Sequence, residues 1–109
     1  MSSCYDQTIR DFWTLTAEES TLLPGMTDKG RLGFATQLKF IDIHGRFPEH
    51  HNEIDPQAVQ WLATQIKVTP DLLGSYDFLG RQSRRHRRTI RVFLGFHPMT
   101  VVNYPKTVY

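Results

Sequence analysis

The chain has 109 residues, of which 39% are apolar and 12% aromatic; this suits one domain burying about two thirds of its unfolded surface and excludes a disordered chain. Its net charge of +2 conceals a strong asymmetry. Residues 1–77 hold six Lys and Arg against all eleven acids, a balance of −5, whereas residues 78–109 hold seven Lys and Arg and no acid, a balance of +7.

In chain order, the opening MSSCYDQTIRDFW places polar and acidic groups where a signal peptide needs an apolar run, and no segment approaches the roughly 18 apolar residues of a membrane span. Cys4 is the only cysteine, so neither an intrachain disulfide nor a cysteine metal cluster is available, and a soluble cytoplasmic protein is expected. LTAEESTLL offers Thr16 as an N-cap with Glu19 three residues on, a capping box for a short helix that Pro24 and Gly25 stop. In DKGRLGFATQLKFIDIHG, Phe34, Leu38 and Ile41 recur at helical spacing beside Ala35, with Asp28 as the expected cap and Gly45 as the stop. Apolar residues surround most of this helix, which is expected at the centre of the core. DPQAVQWLATQIKVTPDLLGSY then sets Asp55 as N-cap and Pro56 at the first helical position, with Val59, Leu62, Ala63 and Ile66 as a stripe. Thr69 and Pro70 repeat the start signal for a second short helix. Together the two form a helix-turn-helix-like pair, but the second member, PDLLGSYD, has two acids and no base and reads as a packing helix.

GRQSRRHRRTIRVFLGF, residues 80–96, carries six of the thirteen Lys and Arg. At about 100° per residue, Arg84, Arg85, Arg87, Arg88 and Arg91 fall in one arc of roughly 160°, with His86, Ile90, Phe93 and Leu94 opposite. Arg81, expected just before the helix, extends the patch. Five arginines without an acid at i±4 repel one another unless an anion is present, and planar guanidinium forks suit phosphate oxygens and guanine edges. Charge alone does not separate DNA from RNA or an acidic protein.

The other chemistry-bearing residues read as structural. HGRFPEHHNEID gathers His44, Glu49, His50, His51, Glu53 and Asp55, but the spacing fits no zinc pattern and a solvated loop explains it. His86 reads as a hydrogen-bonded packing residue, kept neutral by the arginines beside it. Trp13 and Trp61 read as packing residues, Trp61 falling off its helix's stripe. No glycine-rich phosphate loop is present, and neither cofactor, metal nor small-molecule substrate is expected.

LTAEE, RLGFATQLKFIDIHGRFP, VQWLATQIKV and YDFLGRQSRRHRRTIRVFLGF occur in an order and spacing that resemble the N-terminal domain of transposases of the Tn-three family, the replicative class II bacterial transposons. The resemblance covers roughly residues 10–98, and residues 99–109 stand apart as a non-matching tail. It implies an α-helical DNA-binding domain, cytoplasmic and nucleoid-associated, that helps a larger transposase recognise the terminal inverted repeats of its element. It also implies that the Asp, Asp, Glu triad of the family, which binds magnesium and cuts DNA, lies beyond this chain, as in a truncated or frameshifted remnant. The expectation is therefore an all-α bundle of about five short helices, non-catalytic, binding double-stranded DNA through Arg81, Arg84, Arg85, Arg87, Arg88 and Arg91. A fragment that modulates full-length transposase by protein contact, an RNA binder and a small hydrolase built on the histidine loop are the rival readings.

Overall fold

The computed structural model describes residues 7–96, and their regular structure is helical with no strand. Cys4 and the tail of residues 99–109 lie outside the described residues. The order is α1 (Gln7–Phe12), α2 (Ala17–Ser20), α3 (Asp28–His44), a 3-10 turn (His51–Glu53), α4 (Pro56–Ile66), a 3-10 helix (Pro70–Ser75) and α5 (Arg81–Phe96).

The helix starts follow side-chain chemistry closely. At α2 the capping box is complete, with Thr16 Oγ1 accepting from Glu19 N at 3.0 Å and Glu19 Oε1 accepting from Thr16 N at 2.9 Å. At α3 the cap is Thr27 rather than the expected Asp28: Thr27 Oγ1 accepts from Gly30 N at 3.0 Å. Asp28 is the first helical residue, where its charge suits the positive end of the helix dipole and pairs with Arg31. Gly45 ends α3 in the left-handed region at φ 80°, where a glycine carries no Cβ penalty. Asp55 and Pro56 open α4 as expected, Asp55 Oδ1 accepting from Gln57 N at 2.9 Å.

Two elements depart from the sequence expectation. α1 was not foreseen; it docks on α4 and buries Ile9, with Trp13 just beyond it. The segment after Pro70 is a 3-10 helix, not an α-helix, because Thr69 supplies no side-chain cap and Gly74 weakens the turn. Its bonds are the tighter kind, as in Leu72 N to Thr69 O at 3.1 Å.

α3 is the centre, as its sequence pattern requires. Leu32 to Phe40 are all buried, and α4, the 3-10 helix and α5 each pack against it. One side of α3, through Leu32, Ala35, Phe40 and Ile43, joins Ile54, Leu62, Leu73 and Phe78 in the larger core; the other, through Phe34 and Leu38, joins Leu23 and Ile90. The approach of the 3-10 helix is very close at Gly33, where a Cβ would stand 2.1 Å from the Tyr76 ring.

Polar residues inside α3 are paired. Lys39 Nζ meets Glu19 Oε1 at 2.8 Å with both side chains nearly inaccessible, so the carboxylate that completes the α2 cap also ties α2 to α3. Removing one partner of a buried pair strands the other's charge. Lys39→Met is expected to cost about 3 kcal/mol, at the low end for such pairs because Glu19 keeps its amide bond to Thr16. Lys39→Met with Glu19→Gln should recover most of that loss in a thermal melt, since no buried charge is then left alone.

Candidate nucleic-acid interface

The turn before α5 is built on Asp77. Its carbonyl accepts from Gly80 N at 3.2 Å and from the Ser83 hydroxyl, and its Oδ1 accepts from Leu79 N at 3.0 Å. Helix geometry begins at Arg81, so Arg81 belongs to the first turn of α5 rather than preceding it. The docked side of α5 is the expected one: Ile90 and His86 are buried, and Phe93 and Leu94 are half-buried beside Phe34 and Leu38.

Arg81, Arg84, Arg85, Arg88 and Arg91 are exposed on the other side. The guanidinium groups of the first four make no hydrogen bond or ion pair among the described residues. Arg91, also exposed, lies with its guanidinium 5.1 Å from the centre of the Phe47 ring, a cation–π contact. Two shallow troughs meet along Arg84 and Arg88, one walled further by Arg81, Arg85 and Thr89, the other by Arg87, Arg91 and Val92.

Arg87 departs from the expected outward arc. Its Nε donates to Gln37 Oε1 at 2.8 Å, and one terminal nitrogen donates to Pro48 O at 2.9 Å and Phe78 O at 2.8 Å. The same guanidinium stacks 5.1 Å from the Phe47 ring centre. Burial pulls its pKa below the ordinary guanidinium value, but an arginine remains charged at neutral pH. Arg87 therefore clamps α5 to three other segments while adding its charge to the patch. The angular signal was present in the sequence: of the five arginines, Arg87 stands nearest the apolar stripe at about 100° per residue.

A buried hydrogen-bond chain continues inward from this clamp. Gln37 Nε2 donates to Tyr76 Oη at 3.0 Å, and Tyr76 Oη lies 2.6 Å from His86 Nδ1. Burial drives the His86 pKa down, which favours the neutral ring in this contact. The cause is desolvation, not the neighbouring arginines. The His86 ring also meets the Phe34 ring edge-on at 5.2 Å. Burial likewise pushes the Tyr76 hydroxyl far above the usual phenol range, although Ser83, Arg87 and Gln37 pull the other way.

The sign of the pH effect follows. Unfolded His86 takes up a proton near its ordinary value of about 6.5, whereas the folded residue resists until lower pH. Between those values the unfolded chain binds more protons, so stability falls as pH falls below about 6.5 and is flat above it. Melting temperature measured from pH 7.5 to 5 should drop in the wild type and drop less in His86→Gln.

The histidine loop is organised by Glu53. Its Oε2 accepts from Glu49 N at 2.7 Å and His50 N at 3.2 Å, and its Oε1 pairs with Arg46 at 2.7 Å. Desolvation pushes its carboxyl up, but these bonds and Arg46 outweigh it and hold the pKa below the usual value. His50 Nδ1 accepts from Asn52 N at 3.1 Å, and the His50 and His51 rings stack 4.4 Å apart. No three His, Cys, Asp or Glu side chains converge on a metal position among the described residues. Trp13 is buried, while Trp61 is half-buried and donates to Thr14 Oγ1 at 3.0 Å. Gln65 fastens the same corner, accepting from Leu15 N at 2.8 Å and donating to Trp13 O at 2.9 Å.

Fold and face together define a small all-α module that presents one arginine-rich helix, with no helix among the described residues long and apolar enough to cross a membrane. The chain belongs to the family described as Domain of unknown function (DUF4158), whose model matches residues 2–108. It is similar to the transposase for transposon Tn3926 from Escherichia coli, with 25% identity over 104 residues, a match that takes in 95% of this chain. The chain spans about a tenth of that relative's length, 10%. No solved structure matches it.

Proposed function

We propose that this chain is a non-catalytic DNA-binding module of a transposase of the Tn-three family, which engages the terminal inverted repeats of its element. The observation that carries the reading is the set of exposed arginines, Arg81, Arg84, Arg85 and Arg88, held on a firmly docked helix and paired with no carboxylate among the described residues. Like charges at such spacing cost folding energy unless a polyanion repays it. Similarity to a transposase supports DNA as that polyanion. Arg91 joins the four at the edge of the face, and Arg87 contributes charge from its clamped position. The cutting and joining chemistry of transposition falls to other parts of the transposase.

Fluorescence anisotropy on a duplex carrying a class II terminal repeat and on a scrambled duplex, at two salt concentrations, tests the proposal. Wild-type affinity should fall steeply with salt, by a log–log slope near −0.9 for each phosphate contact. Arg84→Gln, Arg85→Gln and Arg88→Gln combined should flatten that slope by roughly 0.9 per lost contact and leave the melting temperature nearly in place, because all three side chains are exposed and hold no hydrogen bond or ion pair among the described residues. Binding that ignores the triple change, or none at low salt, overturns the reading and favours a role in protein contact with full-length transposase.

A further inference from the structure

We infer that α5 reads base edges in the major groove of duplex DNA, with Arg88 and Val92 as the specificity-determining residues and the arginines on either side as phosphate contacts. This rests on the DNA-binding reading and extends it from affinity to sequence. The reason lies in how the exposed arc is divided. At about 100° per residue, Arg81, Arg88 and Val92 fall within about 40° of one another, opposite the buried stripe of Ser83, His86 and Ile90. Arg84 and Arg91 stand about 60° to 80° to one side of that crest, and Arg85 and Thr89 about 40° to 80° to the other. A helix lying in a groove meets the two phosphate walls with its flanks and the base edges with its crest.

Val92 is the second observation. It is 58% exposed, an apolar side chain in a trough otherwise walled by Arg84, Arg87, Arg88 and Arg91. A β-branched apolar group there does nothing for phosphate binding and nothing for the core. Its methyls match the one apolar feature of the major groove, the thymine C5-methyl, while the fork of Arg88 one turn earlier matches guanine O6 and N7. Gly95, next along the exposed side, has open space where a Cβ would be, so no side chain holds the helix off the groove floor there. The dimensions agree: a helix about 10–12 Å across fits a B-form major groove about 12 Å wide. From Arg81 to Val92 is about 16 Å, close to five base pairs. The deep, narrow major groove of A-form RNA does not admit such a helix.

The test begins with selection of preferred duplexes from a random pool by the full chain, followed by atom-level changes in the selected site. Replacing one thymine by uracil should weaken wild-type binding about fourfold, the value of one buried methyl group, and Val92→Ala should erase that difference. Replacing one guanine by 7-deazaguanine should weaken wild-type binding roughly tenfold, and Arg88→Lys should shrink that penalty. Val92 and Arg88 are exposed, so unchanged melting curves will show that both variants fold. Three outcomes overturn the inference: a selected pool with no common sequence, base penalties that both variants retain, or equal affinity for RNA duplexes. If wild-type binding remains strongly salt-dependent in any of these, the DNA-binding reading stands and only base reading by the crest is lost.

Discussion

Gly33→Ala is expected to destabilise the chain by about 5 kcal/mol, the whole stability of a domain at the low end of the usual range of about 5–15 kcal/mol. An added Cβ would sit 2.1 Å from Tyr76 Cε1, 2.2 Å from Cδ1 and 2.4 Å from Cζ, so ring and helix must part by more than 1 Å. The ring is not free to swing aside. Its hydroxyl is held by Gln37 at 3.0 Å and His86 at 2.6 Å, and its ring meets Phe78 in a T-shaped contact with centroids 5.0 Å apart. Overpacking strain of about 1–3 kcal/mol and one or two broken buried hydrogen bonds of about 1–3 kcal/mol each add up to that figure. The better helix propensity of alanine returns only about 1 kcal/mol. Gly74→Ala, at a site with nothing within 4 Å, is the control and should leave the melt almost unmoved. In a Tyr76→Ala background, Gly33→Ala should cost far less than in the wild type. Additive losses in that double-mutant cycle would show that the two positions do not meet.

Arg87→Ala is expected to cost about 5 kcal/mol, whereas Arg84→Ala or Arg88→Ala should change stability by less than about 0.5 kcal/mol. Arg87 makes three hydrogen bonds with a charged donor, to Gln37, Pro48 and Phe78, each worth about 1.5–3 kcal/mol. Their loss leaves two backbone carbonyls and the Gln37 carbonyl without a donor, and removes the stack on Phe47. Urea unfolding monitored by Trp fluorescence separates the two groups of arginines directly. Equal, small effects at all three positions would mean that α5 is held by its apolar stripe alone. Arg87→Lys keeps the charge but not the planar fork, and should recover only a minor part of the loss.

Legibility followed the range of the interaction. The caps at Thr16 and Asp55, the stop at Gly45 and the apolar surround of α3 are local patterns, and all appear where the sequence places them. Thr27 shows the limit even there: Thr and Asp stand side by side, and both are good caps, so one-residue precision was out of reach. α1 lacks an acidic first turn and spans six residues; its burial against α4 decides it, and no local signal does. The histidine cluster, whose spacing already reads as a loop, is a loop folded around the Glu53 carboxylate.

Composition and periodicity by themselves determined the all-α class, the central helix and the helix that carries the arginines, because each depends on contacts a few residues apart or on the side of a helix that is apolar. Only the tertiary structure decided which arginine is spent on the fold. Arg87 differs from Arg84 and Arg88 through partners 50, 39 and 9 residues away in Gln37, Pro48 and Phe78. The same holds for Lys39 with Glu19 and for Gly33 with Tyr76. Such pairs form where elements distant in sequence are brought together, and a side chain's own periodicity carries no record of what will stand opposite it.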